Sequence, residues 1–192
     1  MNNNLVIATV TALLKRRLEN ELGENGVLAF LGGDATVSAR PPERVAAGSE
    51  EPAQLNLFLY MVTPNTSLRP EHGTAHNAPR RKPFPLDLHY LLTAYGSQDY
   101  QSEVLLGTAA QVLQQADTLS NQQIAQILGS LSTAGVPPPF LKNPHDTSHI
   151  EQISIHPQFL NSEELSRLWS ALQARYQLSL AFRVAVFVRA DE

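Results

Sequence analysis

The sequence predicts an α+β fold, a single domain in which a mixed or mostly antiparallel sheet packs with about three to four helices and carries long interaction loops. Two observations lead to this class. Segments with strand alternation and segments with helical spacing do not alternate one for one, which argues against a doubly wound parallel sheet. The 192 residues also suffice for one ordinary core rather than two. We therefore expect residues 1–192 to form one domain, with long loops at 64–85 and 134–149.

Composition and charge narrow the function classes. The chain is 43% hydrophobic and 17% charged, which is typical of a globular protein. A formal net charge of -4 argues against nucleic acid as the main ligand, because phosphate binding needs an excess of Lys and Arg. The absence of cysteine excludes disulfides, thiolate metal sites and a cysteine nucleophile. With neither a signal peptide nor a long apolar run, we expect synthesis in the cytoplasm and no membrane contact. We also expect no cofactor.

The first elements follow from spacing. Apolar residues at helical spacing predict an amphipathic helix over residues 4–22, which Gly23 ends. Residues 26–39 contain strand-like apolar residues interrupted by Gly32-Gly33-Asp34, which predicts a hairpin or a bent edge.

An exposed loop is predicted for residues 40–53, which are rich in Pro, Glu, Gly and Ser. AQLNLFLYMVTP (53–64) then places apolar residues on both faces, which predicts a central strand covered on two sides. Residues 64–85 contain five prolines, one acid and four basic residues without apolar periodicity. The basic residues are Arg69, Arg80, Arg81 and Lys82. A loop of this length is either an arm that contacts a partner or a flexible surface loop.

The second half begins with a tightly patterned stretch. LDLHYLLTAY alternates through residue 95, predicting a long strand that stops at Gly96. A helix with a buried stripe follows, formed by Leu105, Ala109, Val112, Leu113 and Ala116. Residues 121–132 predict a second short helix, and 134–149 a second proline-rich loop.

The last three elements are a strand, a helix and a strand. IEQISIHPQFL (150–160) predicts a short strand, and Asn161 with Glu164 resembles a capping box. The helix after it has a core-facing stripe formed by Leu165, Leu168, Trp169 and Leu172. YQLSLAFRVAVFVRA (176–190) alternates cleanly and predicts a strand with one dry and one wetter face.

Asp87 and His89 are the first candidates for chemistry. They lie two apart on a predicted strand and therefore share a face, as general base catalysis or metal ligation would require. No serine or third ligand stands at a recognisable spacing. The alternative is that both side chains are satisfied by neighbouring groups or by another subunit.

Two histidine pairs give a second candidate. His72 with His76, and His145 with His149, have the spacing that presents two metal ligands on one helix face. Both pairs lie in predicted loops, and neither first histidine is followed by the glutamate of metalloproteases. A small metal-dependent enzyme using the first pair with Asp87 or His89 therefore stays as an alternative hypothesis.

The remaining charged candidates indicate contacts with other proteins. Glu103 stands at the edge of its helix's buried stripe, as expected of a surface or interface residue. Arg80-Arg81-Lys82 lacks interleaved aromatics and fits an acidic protein surface better than nucleic acid. The candidate partner or subunit interface thus comprises Arg69, Arg80, Arg81, Lys82, Asp87, His89 and Glu103.

Four segments in one order resemble a known family. They are similar to segments of the tail-terminator, or cap, proteins of contractile injection systems. The segments are NLFLYMVTPNTSLRP, PFPLDLHYLLTAYG, EVLLGTAAQVL and ELSRLWSALQARYQLSLAFRVAVFV. The resemblance covers most of the chain.

The resemblance implies a structural role without catalytic residues. It implies a hexameric ring that caps the tube end distal to the baseplate and contacts the last sheath ring. The expected partners are further copies of the chain, the tube protein and the sheath protein. Assembly is expected in the cytoplasm, within a particle that can be released outside the cell. A general adaptor with the same fold and another partner remains a further alternative.

Overall fold

The computed structural model describes residues 5–24, 26–45, 52–66, 85–115, 117–133 and 150–188. Five α-helices lie in this part of the chain: α1 (Val6–Glu24), α2 (Val27–Leu31), α3 (Gln101–Gln115), α4 (Asn121–Thr133) and α5 (Ser162–Ala171). The strands are β1 (Ala35–Ser38), β2 (Ala53–Pro64), β3 (Leu86–Tyr95), β4 (Thr118–Ser120), β5 (Ile150–Gln158) and β6 (Ser179–Val188). A 3-10 helix spans Pro42–Arg44.

The described strands form one six-stranded sheet in the order β1-β2-β3-β6-β5-β4. Within this sheet β1 and β2 pair in parallel, and the other four pairs are antiparallel. This mixed, mostly antiparallel sheet confirms the predicted fold class. Most of each predicted long loop, residues 67–84 and 134–149, lies outside the described residues.

The main core lies on the face of the sheet that α1, α3 and α4 cover. On β3 it takes every second residue from Leu86 to Ala94, as the strand period predicts. Tyr90 belongs to this face, where its ring stacks on Phe182 at 5.4 Å and its hydroxyl lies 2.8 Å from Thr11 Oγ1. Burial raises the pKa of the Tyr90 hydroxyl far above its ordinary value.

A second layer covers the opposite face of β3. All ten residues of β3 are buried, so both of its faces are covered. Helix α5 begins with the predicted capping box, in which Asn161 Oδ1 accepts from the backbone N–H of Glu164 and Glu164 Oε2 accepts from that of Asn161. Trp169 of α5 is buried, as predicted, and its ring meets Tyr176 edge-on at 5.9 Å. None of the described helices is both long and apolar enough to cross a membrane.

The prediction of a strand over the first part of 26–39 is wrong, because residues 27–31 form α2. Val27 and Leu31, four apart, are both buried, and a five-residue apolar run fits one helical turn as well as a strand. Gly26 and Gly32 flank the turn with φ of 66° and 71°, conformations that favour glycine. β1 follows without forming a hairpin, since it pairs in parallel with residues 53–56.

The outcome for β2 is mixed. Leu55 and Leu57 are fully buried, as expected of a central strand, but Met61 and Val62 are exposed. The register with β3 shifts between Leu59 and Met61, which marks a β-bulge. β2 is therefore covered on two sides only in its first half. β4, which the sequence did not predict, forms an outer edge of the sheet.

Candidate interaction site

Asp87 lies on the face of the sheet opposite the main core, close to the start of β3. Asn65 Nδ2 donates to its Oδ1 at 2.7 Å, and Arg183 Nη1 donates to its Oδ2 at 3.3 Å. The Asp87 side chain is 10% exposed, whereas that of Arg183 is 42% exposed. A buried carboxylate thus anchors a guanidinium that reaches the surface, which orients a positive charge without exposing its partner.

His89 lies two residues further along the same face and connects three strands. Its Nε2 is 3.0 Å from Thr63 Oγ1, and its Nδ1 is 3.0 Å from Gln158 Oε1. Because a carbonyl oxygen only accepts, Nδ1 donates to Gln158, and in the neutral ring Nε2 accepts from the Thr63 hydroxyl. The ring therefore holds β2, β3 and β5 in register, with both nitrogens engaged.

Tyr60 completes this cluster at the bulge of β2. Its ring lies 6.1 Å from that of His89. Burial raises the pKa of the Tyr60 hydroxyl, the nearby Gln158 partly offsets this, and the negative charge of Glu164 raises it further. The hydroxyl makes no hydrogen bond of ordinary length with the described residues.

Of the predicted interface residues, the structure describes Asp87, His89 and Glu103, and it does not bring these three together. Asp87 and His89 share a face, as predicted, but each hydrogen-bonds to other side chains. Glu103 is exposed in the first turn of α3, which packs on the other face of the sheet. The four basic loop residues lie outside the described part of the chain, as do His72, His76, His145 and His149. Among the described residues, no cluster of three or more His, Asp or Glu could hold a metal ion.

A family profile decides the relationship of the chain to known proteins. The profile described as the Pvc16 N-terminal domain matches residues 9–192. The chain belongs to the Pvc16 N-terminal domain family. No curated protein matches this Pvc16 N-terminal domain sequence.

Solved structures with the same fold come from contractile injection systems. One is the PVC sheath/tube terminator of an extracellular contractile injection system in its extended state, with a TM-score of 0.51 and 17% identity over 91% of this chain. Another is the anti-feeding prophage cap, a tube terminating cap, with a TM-score of 0.53 and 16% identity over 91% of this chain. The Pvc16 N-terminal domain described here spans 56% and 55% of those two chains. At these identities the likeness shows the fold.

Sequence reasoning missed the exposed aromatic residues of this Pvc16 N-terminal domain. Phe30, Tyr100 and Phe159 are the most exposed large hydrophobic residues that the structure describes. Phe30 went unnoticed because it fell within a predicted strand, where an apolar residue is expected to be buried. Tyr100 carried a usable signal, since it is a lone aromatic residue in a polar loop. Exposed apolar side chains of this size are candidate contact residues where they lie together.

The anchoring role of Asp87 gives a testable expectation. Asp87→Ala should lower the free energy of unfolding by about 1–3 kcal/mol, because it removes the buried acceptor that Asn65 and Arg183 share. Arg183→Ala should cost less than about 1 kcal/mol, since water reaches the guanidinium. Urea denaturation of the purified protein measures both.

The exposed pair of Arg167 and Glu163 supplies the control for this comparison. Arg167→Ala should change stability by about 0.5 kcal/mol or less. If Asp87→Ala were as mild as Arg167→Ala, the Asp87 carboxylate would not be an anchor.

Proposed function

We propose that this chain terminates tube and sheath assembly in a contractile injection system. In this role copies of the chain form a ring, expected to be hexameric, that caps the tube end distal to the baseplate and contacts the last sheath ring. The observation that carries the proposal is the family match over residues 9–192, supported by the same fold in a sheath/tube terminator and a tube terminating cap. In this proposal the chain assembles in the cytoplasm, into a particle that can be released outside the cell.

The role requires no chemistry of the protein. The side chains of Asp87 and His89 support this, because both are hydrogen-bonded: Asp87 to Asn65 and Arg183, and His89 to Thr63 and Gln158. Such a network fixes strand register and leaves His89 without a free ring nitrogen for proton transfer. In this proposal both residues shape a subunit or partner contact, and Arg183 is the group of the cluster that reaches the surface.

Ring formation also fits the exposed surface of the fold. A ring needs two different complementary surfaces on each copy, placed so that repeated head-to-tail contacts close by rotation. Phe30 and Tyr100 lie beyond the end of β3 at Tyr95. Thr66 and Pro85, the described neighbours of the segment that carries Arg69, Arg80, Arg81 and Lys82, lie at the start of β3. Exposed aromatic residues and the attachment points of the basic segment are thus at opposite ends of the sheet.

Assembly with the tube and sheath subunits of the same particle tests the proposal. Electron-microscopic class averages of the mixture should show six-fold rings at one end of each tube, and native mass spectrometry should show the same stoichiometry for the isolated ring. Tubes grown with the protein should be shorter and more uniform than tubes grown without it. A protein that stays monomeric and binds neither tube nor sheath would overturn the proposal. Rings that form but ignore both partners would favour the adaptor alternative.

A further inference from the structure

Two large aromatic side chains stand out on the surface next to α2 and α3. Phe30 is 83% exposed and Tyr100 is 75% exposed, although aromatic residues bury more apolar area than most others when they fold inward. We use the term aromatic patch for these two residues together with the exposed acids Asp34, Asp99 and Glu103 on the same two segments. The patch is a surface that gains free energy when another chain covers it.

The two segments that carry the patch are joined by one buried side chain. Gln101 Nε2 donates to the backbone oxygen of Leu31 at 2.8 Å. Gln101 Oε1 accepts from the backbone N–H groups of Ser97 and Gln98, at 2.9 and 3.1 Å. Phe30 and Tyr100 are the sequence neighbours of the two residues joined in this way. The patch is therefore held in place before any partner arrives, which reduces the entropy lost on binding.

The backbone of Tyr100 supports the same conclusion. Its φ is 69°, a value that is costly for a residue with a Cβ atom. Glycine or asparagine adopts this conformation at a lower energetic cost. An exposed tyrosine in a glycine-like conformation contributes little to the fold, so its side chain points to a role outside the fold.

Charge indicates the chemistry of the partner. Residues 26–36 and 96–107 contain three acids and no Lys or Arg. An acidic surface with exposed aromatic rings suits a segment rich in arginine, because guanidinium groups pair with carboxylates and stack on rings. Residues 67–84 of this same chain have that character, with four basic residues and one acid, Glu71.

We propose that the aromatic patch of one copy binds residues 67–84 of a second copy. Those eighteen residues connect Thr66 to Pro85, and both of these lie at the end of β3 where Leu86 begins the strand. The patch lies beyond Tyr95, at the other end of the ten-residue strand, about 30 Å away.

The distance argues for a second copy. A segment of eighteen residues whose two ends are fixed side by side reaches about 30 Å only when it is fully extended in both directions. In a head-to-tail contact the patch of one copy meets the opposite end of the next copy, so the segment does not have to span its own sheet. Head-to-tail contacts of this kind generate rings when the rotation closes. The inference rests on the self-association in the proposed function, and it assigns the two surfaces that meet.

Exchanging the two charge signs tests the contact. The segment variant carries Arg80→Glu, Arg81→Glu and Lys82→Glu, and the patch variant carries Asp34→Lys, Asp99→Lys and Glu103→Lys. Sedimentation velocity over a concentration series should show that each variant alone self-associates at least about 10-fold more weakly than the original chain. An equimolar mixture should recover the original affinity, because every acidic segment then meets a basic patch.

A control with the same change in net charge uses exposed acids outside the patch. Glu43→Lys, Asp117→Lys and Glu163→Lys raise the charge equally and should leave self-association unchanged. Tyr100→Gly separates binding from folding, since glycine suits a φ of 69°. It should keep or raise the melting temperature while weakening self-association several-fold.

Each outcome decides one of the two proposals. The same samples are imaged on tube ends, where labelled copies are counted per end. Rings that form equally well with the segment variant or the patch variant would overturn this contact and leave the terminator role intact. A mixture that fails to recover would have the same meaning. If the unmodified chain neither self-associates nor binds tube ends, the proposed function itself is overturned.

Discussion

Replacing Gly96 with alanine should lower the free energy of unfolding by about 3 kcal/mol. A Cβ atom on Gly96 would lie 2.6 Å from Gln101 Cβ, 3.1 Å from Gln101 Oε1 and 3.3 Å from the backbone nitrogen of Ser102. Gln101 Cβ is fixed to its backbone and cannot swing aside, so the turn between β3 and α3 must move. Such overpacking typically costs about 1–3 kcal/mol. Displacing Gln101 also weakens its buried hydrogen bonds.

Gly107, within α3, provides the matched control. An added Cβ there meets nothing within 4 Å, so Gly107→Ala should raise the free energy of unfolding by up to about 1 kcal/mol through helix propensity. Urea denaturation followed by circular dichroism measures both variants. If Gly96→Ala proved neutral, the contact between Gly96 and Gln101 would not be rigid. Gln101 would then not hold the aromatic patch in place before a partner binds.

The elements that the sequence predicted well are those fixed by local pattern. β3 and β6 alternate over ten residues, and in both strands one face packs into the core. The start of α5 follows from Asn161 and Glu164, because both halves of a capping box lie within one turn. In each case the decisive interactions join residues close together in sequence or repeat with a fixed period.

The failures arose where tertiary contacts decide the structure. A short apolar run such as residues 27–31 satisfies either period, and its burial beneath α1 and α3 is settled by distant residues. The parallel pairing of β1 with β2 and the three-residue β4 depend on neighbours that no local spacing reveals.

At the candidate site, too, the sequence predicts what depends on local pattern and not what depends on tertiary contacts. That Asp87 and His89 share a face follows from the strand period. Their partners do not, because Asn65, Gln158 and Arg183 stand 22, 69 and 96 residues away from them along the chain. Glu103 was added because it stands at the edge of the buried stripe of its helix, and the fold places that helix on the opposite side of the sheet.

Leu92 and Leu180 should respond very differently to truncation, although the strand period assigns both to the core face. They are direct partners in the pairing of β3 with β6. Leu92 is 0% exposed and Leu180 is 38% exposed. Leu92→Ala should therefore lower the free energy of unfolding by about 3 kcal/mol, since it opens a cavity in the packed core. Leu180→Ala should cost less than about 1 kcal/mol.

The contrast has a consequence for assembly. β5 ends opposite Ala181 of β6, so Leu180, Leu178 and the nearby Phe159 leave an apolar surface at this end of the sheet. If this surface meets a tube or sheath subunit, Leu180→Ser should fold like the original chain in urea denaturation yet bind tube ends more weakly. Leu92→Ala, if still folded, should bind normally at temperatures well below its melting point. Equal destabilisation by the two alanine variants would mean that Leu180 is covered in the free protein.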